Sequence, residues 1–77
     1  MLTPAAALAR RIVWAMQAYT SGEPQRWARV NTIAKIAMVS DEDFLRAALQ
    51  VAVDQGWLVV EGGHSVCLTD TGRWLVK

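Results

Sequence analysis

Residues 57–68, WLVVEGGHSVCL, form two apolar runs of strand-forming residues separated by Gly62, Gly63 and His64. Side chains alternate across a strand, so a slip of one residue would turn every one of them to the opposite face. This makes the stretch the strongest constraint in the chain. If Gly62, Gly63 and His64 form a three-residue loop, Leu58 faces Leu68 and Val60 faces Val66, and one face of the hairpin is wholly apolar. That register is the one expected. The other face then carries Trp57, Val59, Glu61, Ser65, Cys67 and Thr69, which is less polar than a solvated face should be.

With 77 residues there is room for one domain at most, expected to span 1–77. A chain of this size buries only roughly 60 % of its unfolded surface, so its core is compact or is completed by a partner. Hydrophobic residues make up 53 % and charged residues 19 %, too apolar a balance for disorder.

Three helices precede the hairpin. Thr3 caps the first and Pro4 takes its first position, where a missing N–H costs nothing. Leu8, Ile12, Ala15, Met16 and Tyr19 fall on one stripe, widened by Ala5, Ala9 and Val13, and Gly22 and Pro24 stop the helix. Trp14 points nearly opposite, beside Arg10 and Gln17. QRWARV reads as a short extended segment, after which Asn31 caps a brief helix carrying Ile33, Ile36 and Ala37 inward. Met38 and Val39 make a tight connection. Ser40 and Asp43 approximate a capping box for a third helix that starts at about Asp41 and runs to Gly56. That helix is apolar around most of its circumference, which predicts enclosure on both flanks. Its one open stripe holds Asp43, Arg46, Gln50 and Asp54, with Glu42 alongside.

Taken together, IAKIAMVSDEDFLRAALQVAVDQGWLVV resembles a helix-turn-helix running into the first strand of a wing, and VCLTDTGR resembles the Leu-Thr-x-x-Gly-Arg wing ending of MarR-like regulators. The resemblance implies an α+β winged helix-turn-helix fold: a three-helix core, a two-stranded hairpin wing and a short C-terminal helical turn. Within it Thr69 caps the last turn, Leu68 enters the core, and Trp57 and Trp74 are core by position. The chain departs from the pattern at Met38, where such turns usually carry Gly because the backbone takes a positive φ. It also departs in charge. The recognition-helix candidate sets Asp41, Glu42, Asp43 and Asp54 against Arg46 alone, and the wing tip is Glu-Gly-Gly-His.

The resemblance implies a DNA-binding, transcription-regulator-like domain acting on double-stranded DNA. Arg46 and Gln50 would then meet base edges, while Arg29, Lys35 and Arg73 would position phosphates. The close rival is a winged helix used for protein interaction or oligomerisation. It is favoured by the acidic third helix, by a net charge of +1 that supplies no field for a polyanion, and by Trp14. Trp14, Trp57 and Val59 are the interface candidates, and a homodimer is expected because an exposed aromatic anchor on a small domain gains core by pairing.

No enzyme is expected. His64 is the only histidine and reads as a turn residue, and Asp41, Glu42 and Asp43 point in three directions on a helix, so neither a catalytic set, a metal site nor a cofactor is implied. The single Cys67 fits a reducing compartment, and no apolar run approaches the roughly 18 residues of a membrane span, so a cytoplasmic protein is expected. The first 19 residues hold two arginines and no acid, as a transit peptide would, but their periodicity reads better as a permanent helix.

Overall fold

The computed structural model describes residues 3–21 and 26–75. Along them run α1 (Pro4–Thr20), β1 (Trp27–Arg29), α2 (Val30–Ile36), α3 (Glu42–Asp54), β2 (Leu58–Glu61), β3 (Ser65–Leu68) and α4 (Asp70–Leu75). The arrangement is α+β, with an antiparallel three-stranded sheet in the order β1-β3-β2.

Helix α1 begins as its sequence dictates. The Thr3 hydroxyl oxygen accepts from the Ala6 N–H at 3.1 Å and Pro4 is the first helical residue. The helix ends at Thr20, followed by Ser21 in the left-handed region, whose N–H bonds back to the Gln17 carbonyl. Gly22 and Pro24, the expected stop, lie outside the described residues. Leu8, Ala9, Ile12, Val13, Ala15 and Met16 are buried as the stripe requires. Tyr19 is not; it is exposed in the final turn, and Thr20 is the fully buried residue there. A buried phenol would need a partner for its hydroxyl, whereas Thr20 satisfies its own by donating to the Met16 carbonyl at 2.8 Å.

The hairpin has the expected register, Leu58 opposite Leu68 and Val60 opposite Val66, with Gly62 and Gly63 both at positive φ in the loop. The extended segment before α2 does more than connect: β1 adds a third strand on the far side of β3, pairing Trp27 with Cys67 and Ala28 with Val66. On the inner face Ala28, Val66, Leu58 and Leu68 are buried against the helices. On the outer face Trp27, Cys67 and Val59 form one row and Arg29, Ser65 and Glu61 the next.

Helix α2 starts earlier than expected. Its N-cap is Arg29 rather than Asn31, without a side-chain cap bond, because β1 leads directly into it. Val30, Ile33 and Ala34 are therefore the buried set, and Ile36 is exposed. The α2–α3 turn keeps its tight form: Met38 adopts φ 61°, and the Val39 N–H reaches the Ala34 carbonyl at 2.9 Å. The Arg11 guanidinium donates to the Ala37 carbonyl, tying α1 to the end of α2 where a cation suits the helix dipole. Asp41, not Ser40, caps α3, its carboxylate accepting from the Asp43 and Phe44 N–H groups at 2.9 and 3.1 Å.

The core gathers Leu8, Ile12, Met16, Ile33, Leu58 and Val66 between α1, α2, α3 and the sheet. Each such side chain contributes roughly 1.5–3 kcal/mol relative to leaving it in water. From α3 only Leu45, Ala48 and Ala52 are fully buried, so this helix is packed along one edge and not enclosed on both flanks. Small residues at two of those three positions let α1 approach, and Phe44 and Val53 are left on the surface.

The Leu-Thr-x-x-Gly-Arg stretch at the end of β3 is explained by contacts. Leu68 is buried, and the Thr69 hydroxyl oxygen accepts from the Gly72 N–H at 3.0 Å while donating to the Gly56 carbonyl. A Cβ on Gly72 would overlap the Trp57 carbonyl oxygen, so α4 docks on the hairpin only with glycine there. Trp57 is half-buried against the core. Trp74 is largely exposed instead of core: α4 buries only Gly72, and its short span turns residue 74 outward.

Candidate binding surfaces

The open stripe of α3 is where the pattern placed it. Asp43, Arg46, Gln50 and Asp54 are all exposed. Gln50, however, is engaged: its amide nitrogen donates to the Asp54 carboxylate one turn on, at 2.8 Å. An amide held this way must break that bond before it can address anything else.

Beside this stripe, α3 and the hairpin enclose a groove of about 430 Å³ lined by Arg46, Leu49, Gln50, Val53, Val60 and Gly63. Three aliphatic side chains form its floor and Arg46 is the one cation lining it. Helical spacing singles out Arg46 and Gln50 but neither Val53 nor Val60 as site residues. Val53 was within reach of it, since seven residues bring a helix back to the same face as Arg46.

The expected phosphate contacts are dispersed. Arg29 stands on the outer face of the sheet, in the row with Ser65 and Glu61. Lys35 lines a different groove, of about 250 Å³, with Asn31, Ser40, Asp41 and Glu42. Arg73 forms an ion pair with Asp70. At the hairpin tip the His64 Nδ1 donates to the Gly62 carbonyl at 2.6 Å, beside an exposed Glu61. Lys77, a further cation, lies outside the described residues.

Of the interface candidates, Trp14 is exposed on the far side of α1, Val59 is exposed on the outer sheet face, and Trp57 is half-buried. Trp14 is joined by residues that the sequence pattern does not single out. One shallow groove contains Arg11, Trp14, Ala18, Ile36 and Met38, and a second, sharing Arg11 and Met38, adds Val39, Asp41 and Phe44. The available signal was Met38 itself, since an apolar residue in a left-handed turn projects outward.

Among the described residues no group of three His, Cys, Asp or Glu side chains is placed to hold a metal ion, and no helix is long and apolar enough to cross a membrane. Comparison of the chain with family models, with curated proteins and with solved structures found no match in any of the three.

Proposed function

We propose that this chain is a winged-helix-like interaction module that holds an apolar segment of a partner protein between α3 and the hairpin. The order of helix, strand, two helices and hairpin supports the winged-helix reading, together with the Leu-Thr-x-x-Gly-Arg ending that docks α4. The observation that carries the functional reading is the α3 groove. Leu49, Val53 and Val60 line it, and on the adjoining stripe Asp43 and Asp54 outnumber Arg46. Apolar side chains beside a stripe with two carboxylates to one guanidinium suit an amphipathic helix with basic flanks, which lays its apolar face into such a groove. The free, buried Cys67 fits a reducing compartment such as the cytoplasm.

A second reading, DNA binding, is favoured by one observation: Arg46 and Gln50 lie one turn apart on the exposed side of α3, next to the hairpin tip. Against it stand the Gln50–Asp54 bond, the Arg73–Asp70 pair and the scattering of the remaining cations, since affinity for duplex DNA comes largely from neutralised phosphates.

A synthetic amphipathic helix built from leucine and lysine serves as the probe. Titrated against the isotope-labelled protein, it is expected to shift the Leu49, Val53 and Val60 methyl signals saturably. Val53→Lys should abolish those shifts, and Val59→Lys, on the outer sheet face, should leave them. A peptide that moves none of the three methyls would overturn the groove as a protein-binding site.

A further inference from the structure

We propose that the surface formed by Trp14, Ile36, Met38 and Phe44 is a two-fold self-association interface, occupied by the same surface of a second copy of this chain. It is separate from the α3 groove and stands whatever that groove receives. Met38 is 85 % exposed, Trp14 61 %, Ile36 46 % and Phe44 37 %. They are one surface and not scattered residues, because Arg11 and Met38 line both of the shallow grooves that the others border. Weighted by exposure, these four side chains leave roughly 500 Å² of apolar area in water, near the top of what a monomer's largest patch carries. That is more than half of the roughly 800 Å² each partner contributes to a stable interface, with the polar rim left to supply the rest.

Charge at the rim selects the occupant. On the α1 side stands Arg10, exposed one turn before Trp14. On the α3 side stands Asp41, which lines the second groove together with Phe44. One copy rotated by a half-turn about an axis through Met38 sets its cationic edge against the acidic edge of the other, twice over. An isologous contact requires this kind of self-complementary patch. A single-sign rim would have repelled its own copy.

The pairing leaves the groove open. Arg46 lies two residues, or about 200° of helix, around from Phe44, so the α3 groove faces away from the contact.

Sedimentation equilibrium on the full chain tests the proposal. The wild type should associate to a dimer and no further across the micromolar to millimolar range. Met38→Glu, a change at a fully projecting side chain, should keep the far-ultraviolet circular dichroism and weaken dimerisation by about a hundredfold or more. Arg10→Asp and Asp41→Arg, each kept folded as judged by circular dichroism, should each weaken it by about tenfold, and the double variant should restore it, since the swap re-forms both edge contacts. A wild type that stays monomeric, a dimer indifferent to Met38→Glu, growth beyond the dimer, or a double variant no better than the single ones would each overturn the proposal.

Discussion

The hairpin and the α2–α3 turn both require left-handed backbone, and they meet the requirement with different residues. At the hairpin, Gly62 and Gly63 take φ 64° and 73°, positions where a side chain would be strained. At the turn, Met38 takes φ 61° with a full side chain. An L residue there gives up roughly 1–2 kcal/mol that a glycine would not. The hairpin is thus built for stability, whereas the turn holds a strained residue whose side chain touches mostly water. Strain of this kind points to a use for the side chain, and the surface Met38 shares with Trp14, Ile36 and Phe44 supplies one.

The largest effect is expected where the hairpin meets α4. Gly72→Ala should destabilise the fold by about 2–3 kcal/mol, because the new Cβ meets the Trp57 backbone, which cannot yield as a flexible side chain would. Denaturant unfolding checks it, and a loss below about 0.5 kcal/mol would mean that α4 is not docked as described. Gly63→Val should cost less, about 1–2 kcal/mol, since its Cβ would project into open space and only the backbone strain remains. Met38→Gly should act in the opposite direction. At protein concentrations low enough to keep the chain monomeric, it should stabilise by about 0.5–1 kcal/mol. The same variant should lose self-association, so that stability and assembly part company at one residue. If Met38→Gly destabilises the monomer, the contrast between the two regions fails.

How far the sequence revealed this structure depended on how local each feature is. The α1 cap at Thr3, the hairpin register and the Thr69 cap all rest on contacts between near neighbours, and all were legible. The third strand was not, because β1 pairs with β3 across two intervening helices and no local pattern records that. Tyr19, Ile36 and Trp74 were misplaced for a common reason: each lies in the last turn or so of its helix, where periodicity still assigns a face but neighbouring elements no longer cover it. In the candidate site, Arg46 and Gln50 were found from helical spacing. The spacing of Gln50 and Asp54 could also have shown that the amide has a partner. The separation of Arg29, Lys35 and Arg73 onto different surfaces depends on tertiary placement and was out of reach.

The central claim is that the α3 and hairpin face receives protein and not nucleic acid. It is tested most directly by titrating mixed-sequence duplex DNA, at low salt, into the isotope-labelled chain. Low salt favours any phosphate contact. The account predicts that the Arg46, Gln50 and Gly63 amide signals stay in place, and that Arg46→Ala changes nothing. Saturable shifts of those three signals that shrink as salt rises, with Arg46→Ala costing about 1–3 kcal/mol on a preferred site, would contradict it and establish the DNA reading.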